Sequence, residues 1–147
     1  DPPLRRESDE RAGDVLPGLV AKPWRDLRRQ VDALGDEPED AALHEVRKGA
    51  KQVRYATEAV TPVVGRPARK AAKGVRRVQD VLGDHQDTVV AEEWLRTAAA
   101  ADEITAPEAF ALGLLVAGER ARRAELRATW PARWEKAATD DRWAWLP

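Results

Sequence analysis

Apolar residues recur every three or four positions along most of the chain, which is the period of an amphipathic helix. A first helix is predicted over residues 16–34, where Val20, Trp24, Leu27 and Val31 share one face. Further helices are predicted from about 38 to 61, from 67 to about 100, and from 105 to about 128. No segment alternates apolar and polar residues as a half-buried strand does. The pattern therefore predicts an all-α fold, an antiparallel bundle of four main helices joined by short loops.

The two ends of the chain differ in pattern from its middle. Residues 1–14 are polar, contain prolines and lack an apolar period, so we expect a loose polar arm there. Residues 15–147 are expected to form one helical domain, which suits a length of 147 residues. No run of about 18 apolar residues predicts a membrane span, and we expect a cytoplasmic protein. The chain contains no cysteine and two histidines, which disfavours a metal centre, and no cofactor is expected.

Charge is segregated along the chain although the formal net charge is only −1. Between positions 44 and 80 there are ten lysines and arginines but three acidic residues. Between positions 81 and 105 one arginine stands against six acidic residues. The local distribution of charge indicates binding partners that the net charge does not reveal. The excess of basic residues between positions 44 and 80 favours an anionic ligand.

The basic residues of the second and third predicted helices form stripes opposite the apolar faces. At 100° per residue each stripe covers about a third of the helix circumference. Because a short loop makes these helices neighbours, the two stripes are expected to face a common groove. A solvated helix face is the alternative, but acids at i,i+4 spacing are nearly absent and arginine suits bidentate phosphate contacts. The stripes contain His44, Arg47, Lys48, Lys51, Arg54 and Tyr55, then Arg66, Arg69, Lys70, Lys73, Arg76 and Arg77.

Three aspartates, Asp80, Asp84 and Asp87, continue the arc of the third helix beyond its basic part. They are expected to pair with Arg54 or Arg28 of neighbouring helices. The other interpretation is a divalent metal site, which would need convergent oxygens with a turn between them. We favour the ion pairs.

Two motifs resemble the conserved-histidine α-helical domain, known as the CHAD domain. The pattern H-x-x-R-x-x-x-K-x-x-R-Y occurs at residues 44–55, and "RRVQDVLGDHQD" follows at residues 76–87. The resemblance covers about residues 16–128. That family usually holds two similar helical halves, each with its own histidine-arginine motif, and this chain resembles the C-terminal half. We therefore expect that the chain is a fragment, or that it self-associates or meets another chain that supplies the missing first half.

The resemblance implies a non-catalytic module that binds inorganic polyphosphate in a basic groove between helices. His44 is interpreted as a ring donor to phosphate rather than as a base. The main contacts are predicted to be Arg47, Lys51, Arg54, Lys73, Arg76 and Arg77, supported by His44, Lys48, Arg69, Lys70 and Arg28.

Two other functions remain as alternatives. Nucleic-acid binding by the same groove is disfavoured because Tyr55 is the only aromatic residue in the stripes, too few for base stacking. A metal-dependent phosphate-ester enzyme would use Asp80, Asp84 or Asp87. The six tryptophans are expected to pack in the core and at helix ends, and His85 is expected to be a structural histidine with satisfied hydrogen bonds.

Overall fold

The fold is all-helical, as the hydrophobic pattern predicts. The computed structural model describes residues 12–101 and 103–147, and no strand occurs within these ranges. Four long helices run in alternating directions, and a single short turn of helix follows them. In chain order the helices are α1 (Ala12–Asp32), α2 (Asp40–Val64), α3 (Arg66–Ala99), α4 (Ala106–Ala137) and α5 (Asp140–Trp143).

Several helix ends differ from the prediction. Helix α1 begins at Ala12, so the expected boundary between residues 14 and 15 falls inside it, while residues 1–11 of the expected arm lie outside the described residues. Helix α4 was expected to end near position 128, but it continues through Pro131 to Ala137. Trp130 and Ala137 are both buried, so packing on either side of Pro131 compensates for the backbone hydrogen bond that a proline removes. The capping box of Thr105 and Glu108 is confirmed.

The core lies where α2 packs between α1 and α3, and α3 packs in turn against α4. Close approach of α1 and α2 depends on Gly49. A Cβ atom at Gly49 would lie 2.6 Å from Oε1 of Gln30 and 3.1 Å from Cδ1 of Leu27. The members of the core cluster that come from α1, α2 and α3 are Val20, Trp24, Leu27, Leu43, Val46, Ala50, Val53, Val60, Ala68, Ala71, Val75, Val78 and Leu82.

A cluster of tryptophans fastens the C-terminal segment to α1. Trp24 stacks on Trp143 with ring centroids 3.8 Å apart and lies 5.5 Å from Trp134. Trp145 in turn stacks on Trp143, with ring centroids 6.2 Å apart. The expectation that the tryptophans pack in the core and at helix ends is wrong for Trp94, whose side chain is 67% exposed.

The two longest helices project beyond the rest of the bundle. Asp40, the first residue of α2, lies beside His85 of α3 and Arg127 of α4. The last part of α3 and the first half of α4 therefore extend past the start of α2 as a two-helix hairpin. Apolar side chains remain exposed on this hairpin, among them Val90, Trp94, Phe110, Leu114 and Leu115.

Candidate functional site

A basic cleft of about 530 Å³ lies between the second half of α2 and the first half of α3. The two helices are joined by Gly65 alone, whose φ of +79° is in the region that favours glycine. This abrupt turn places the end of α2 directly against the start of α3. The cleft is lined by Glu58, Thr61, Arg69, Ala72, Lys73, Arg76, Arg77 and Asp80.

The cleft carries more positive than negative charge. Its lining includes four cationic and two acidic side chains. Nε of Arg76 lies 4.0 Å from a carboxylate oxygen of Asp80, and both side chains are more than 60% exposed, so this contact is weak. Within the described chain, Arg69, Lys73 and Arg77 have no carboxylate within ion-pair distance. Their charges are left to solvent or to a ligand.

The end of the cleft formed by α2 is linked to an arginine that is largely buried. Nη1 of Arg54 lies 3.4 Å from Oε1 of Glu58, and the Arg54 side chain is only 15% exposed. The Arg54 guanidinium stands 4.5 Å from the centre of the Tyr55 ring, and Nζ of Lys51 lies 5.8 Å from the same ring. Cations are attracted to an aromatic face at such distances. Tyr55 therefore gathers two of the predicted site residues beside the cleft.

Buried polar atoms continue along the line of contact between α2 and α3, here called the α2–α3 seam. The side chain of Arg47, on α2, lies against α3 at Gly83, where a Cβ atom would be 3.5 Å from Nε of Arg47. Buried polar atoms normally have a hydrogen-bond partner, but within the described residues four atoms of the seam have none. They are His44 Nδ1, Arg47 Nε, Arg54 Nε and Gln79 Oε1.

Three predicted site residues are placed away from the cleft or are already paired. Nζ of Lys48 lies 2.9 Å from Glu45. Lys70 lines a separate cavity of about 250 Å³ next to Arg142, which donates to the Lys70 carbonyl at 2.7 Å. Arg28 lines two cavities, one between α1 and the C-terminal segment and one lined by α1 alone. The structure thus brings together Arg69, Lys73, Arg76 and Arg77, with Arg54 attached through Glu58.

The sequence did not identify Thr61 as a lining residue of the cleft. Thr61 follows Glu58 by three positions and Arg54 by seven, so all three share a face of α2. That spacing is a signal that could have included it. Its hydroxyl donates to the carbonyl of Thr57 and remains free to accept.

The acidic residues do not behave as the sequence predicted. Acids at pairing distance were expected to be nearly absent from the stripes, but Glu45, Glu58 and Asp80 each lie beside a basic residue three or four positions away. Asp80 lies near Arg76 of its own helix, not near Arg54 or Arg28, so that expectation is wrong. Asp84 and Asp87 form no ion pair within the described chain, and no group of three possible metal ligands occurs there.

A second group of arginines, on α4, is fully engaged with carboxylates, and we call it the α4 network. Glu92 is buried and accepts hydrogen bonds from Arg120 at 2.6 Å and from Arg123 at 2.8 Å. Arg123 also donates to the carbonyl of Thr88 at 3.0 Å, and Arg127 donates to Asp40 at 2.6 Å. The hydrogen bond from Arg120 is the main reason that the pKa of Glu92 is lowered.

His85 lies next to the α4 network and is buried, as expected for a structural histidine. Its Nε2 is 3.1 Å from Oδ1 of Asp40, while Nδ1 has no hydrogen-bond partner among the described residues. Burial lowers the pKa of His85, and the charges of Arg127 and Arg123 lower it further against the opposing effect of Asp40. The expectation of satisfied hydrogen bonds is therefore wrong for Nδ1.

Comparison with known proteins identifies the chain over its first two thirds. The model of the CHAD domain family matches residues 1–96. Two proteins of Mycobacterium tuberculosis, from strains CDC 1551 / Oshkosh and ATCC 25618 / H37Rv, are described only as uncharacterized. Each is 38% identical over 96 residues, which cover 65% of this chain and 18% of the relative. No solved structure matches the chain. Among the described helices, none is long and apolar enough to cross a membrane.

Proposed function

Because this chain belongs to the CHAD domain family, which is associated with polyphosphate binding, we propose that it binds inorganic polyphosphate in the cleft between α2 and α3. The observation that carries the proposal is the convergence of Arg69, Lys73, Arg76 and Arg77 on one cleft, with little compensating charge. The proposed activity is binding alone, without a bond made or broken.

Binding is expected to be electrostatic and to depend strongly on salt. A polyanion carries condensed counterions, and each phosphate that meets a lysine or arginine releases some of them. The planar guanidinium of arginine can also donate two parallel hydrogen bonds to one phosphate. Three of the four cations in the cleft are arginines, which supports an anionic ligand with paired oxygens, such as phosphate, over a neutral one.

The α2–α3 seam supports a preference for long chains. From Thr61 at the cleft to His44, α2 extends over about 25 Å at its ordinary rise per residue. Lys51, Arg47 and His44 lie along this path. A polyphosphate that fills the cleft and continues along the seam would gain contacts that a triphosphate cannot reach. We therefore expect long chains to bind more tightly per molecule than triphosphate.

Calorimetric titration with long polyphosphate, triphosphate and single-stranded DNA, at one salt concentration, tests the proposal. We expect affinity in the order long polyphosphate, triphosphate, DNA, because Tyr55 is the only exposed aromatic residue along the seam. The variant Arg77→Gln should weaken polyphosphate binding, while Arg133→Gln, on the exposed surface of α4, should not. Tighter binding of DNA, or equal effects of the two variants, would contradict the proposal.

A further inference from the structure

The first half of α4 is apolar on faces that nothing in the described chain covers. Between Ala106 and Gly118 the only charged residue is Glu108. Phe110 is 70% exposed and Leu114 is 60% exposed. A helix that is apolar on all sides is normally buried, so these exposed side chains indicate a surface that another structural element covers.

The spacing of the exposed residues indicates that the covering element is a helix. Six exposed positions follow each other at steps of four, three, four, three and four residues along α4. This is the heptad spacing of the a and d positions in a coiled coil. The side of α4 that faces α3 carries different residues, including Arg120, Arg123 and Arg127. The six positions, here called the α4 stripe, are Phe110, Leu114, Ala117, Ala121, Ala124 and Ala128.

The sizes of the side chains in the α4 stripe indicate that the helix covering it is the same helix of a second copy. The two large residues of the α4 stripe, Phe110 and Leu114, stand at its N-terminal end, and its other four residues are alanines. In an antiparallel pair of identical helices, a positions face d positions, so that Phe110 meets Ala128 of the copy and Leu114 meets Ala124. The two large side chains then face alanines in the outer four of the six layers, and alanine faces alanine in the central two, so that no layer places two large side chains together. A parallel pair would instead place large against large and small against small.

We propose that the chain forms a two-fold symmetric dimer through antiparallel pairing of the α4 stripe with that of a second copy. Such an interface is self-complementary, as a two-fold dimer requires. The stripe extends over about 27 Å of one helix, so the interface belongs to the small class, below about 1,200 Å², that associates weakly. The proposal is independent of polyphosphate binding and is tested without ligand.

Sedimentation velocity between about 1 μM and about 1 mM protein tests whether the dimer forms, a range that covers weak association. The variants Leu114→Glu and Leu115→Glu form a matched pair, because Leu114 and its neighbour Leu115 are similarly exposed, at 60% and 56%, but only Leu114 belongs to the stripe. We expect the wild type and Leu115→Glu to shift toward dimer with concentration, and Leu114→Glu to stay monomeric. A wild type that is monomeric throughout, or equal effects of the two variants, would overturn the proposal.

Disulfide trapping tests the antiparallel register, since the natural chain has no cysteine. Positions 114 and 124 face each other across the proposed pair, within the short Cα separation that a disulfide needs. We expect the double variant Leu114→Cys/Ala124→Cys to form a covalent dimer under mild oxidation, and Leu114→Cys alone to form little. Efficient cross-linking of Leu114→Cys alone would indicate a parallel pair and would overturn the proposed register.

Discussion

Two groups of arginines occupy the α2–α3 cleft and the α4 network, and they differ in what surrounds them. Arg120, Arg123 and Arg127 of α4 all donate to Asp40 or Glu92, and Glu92 is buried. The cleft arginines have at most one distant carboxylate nearby, that between Arg76 and Asp80. The first group has its hydrogen bonds satisfied by the protein and stabilises the fold. The second group has few protein partners within the described residues, and this difference is the basis of the proposal that it binds polyphosphate.

The largest expected difference between the two groups of arginines is the loss of stability when an arginine of the α4 network is removed. Arg123 is 17% exposed and bonds to Thr88, Glu92 and Asp40. Arg123→Ala would leave Glu92 with one strong partner fewer, and we expect a loss of about 3 kcal/mol in the free energy of unfolding. Urea denaturation measures this loss. Polyphosphate affinity, measured on folded protein, should change less than about twofold.

The neighbouring residue supplies the control for this prediction. Arg122 is exposed and makes no hydrogen bond or ion pair within the described chain. Arg122→Ala should change the free energy of unfolding by less than about 0.5 kcal/mol. Equal losses for Arg122→Ala and Arg123→Ala would show that the α4 network does not stabilise the fold.

Reversing charge in the cleft should have the opposite pattern. In Lys73→Glu/Arg76→Glu two phosphate contacts are lost and two repulsive charges are introduced, so we expect polyphosphate affinity to fall on the order of 100-fold. The slope of log affinity against log salt should flatten by about two. Stability of the free protein should change little, because relief of like-charge repulsion near Arg69 and Arg77 is offset by new repulsion between Asp80 and the glutamate at position 76. Titration across a salt series measures the affinity, and thermal unfolding measures the stability. Unchanged binding would contradict the proposal that polyphosphate binds in the cleft.

Acid should weaken the region around the α4 network before it affects the cleft. Burial lowers the pKa of His85, so the folded protein holds this ring neutral while the unfolded chain takes up a proton below about pH 6.5. Stability contributed by neutral His85 is thus present above that pH and is lost as the pH falls, by up to about 1.4 kcal/mol per pH unit. The lowered pKa of Glu92 adds a further loss below about pH 4.5.

Urea denaturation at several pH values between 5 and 8 measures this dependence. In His85→Gln the residue cannot titrate, so we expect a flatter curve in that range, whatever the variant's absolute stability. A dependence as steep as that of the wild type would assign the effect to other groups.

The smallest effect is expected for a single charge on the α2–α3 seam. Lys51 is exposed and lies 5.8 Å from the Tyr55 ring, outside the cleft lining. Lys51→Glu should be neutral or stabilising by a few tenths of a kcal/mol in the free protein. With long polyphosphate the salt slope should flatten by about one. Reversing the charge of the exposed Arg133 should change neither the stability nor the salt slope. If Lys51→Glu binds long polyphosphate as the wild type does, the binding site is confined to the cleft and does not include Lys51.

The helices could be predicted from the sequence because their apolar residues keep one period over many turns. The ends were harder, since the burial of Trp130 and Ala137 that carries α4 through Pro131 depends on tertiary packing. The same limit affected the site. A helical wheel places Lys70 and Lys73 in one stripe, but it cannot show that Arg142 of the C-terminal segment lies against Lys70 while Lys73 lines the cleft.

The charge pattern alone could not distinguish arginines that stabilise the fold from those available to a ligand. Asp40 and Glu92 are 83 and 31 positions away from Arg123. Pairs of such separation leave no mark on a helical wheel. The local pairs that a wheel can show, such as Arg54 with Glu58, were underestimated because the stripes contain few acidic residues.

Arginine side-chain NMR spectra test the central claim most directly, because both groups are observed in one sample. Each Nε–Hε signal is assigned with single arginine-to-lysine variants, and long polyphosphate is then added. We predict that the signals of Arg69, Arg76 and Arg77 shift progressively, while those of Arg120, Arg123 and Arg127 stay in place. Shifts confined to the arginines of α4, or binding that moves none of the cleft signals, would contradict the account.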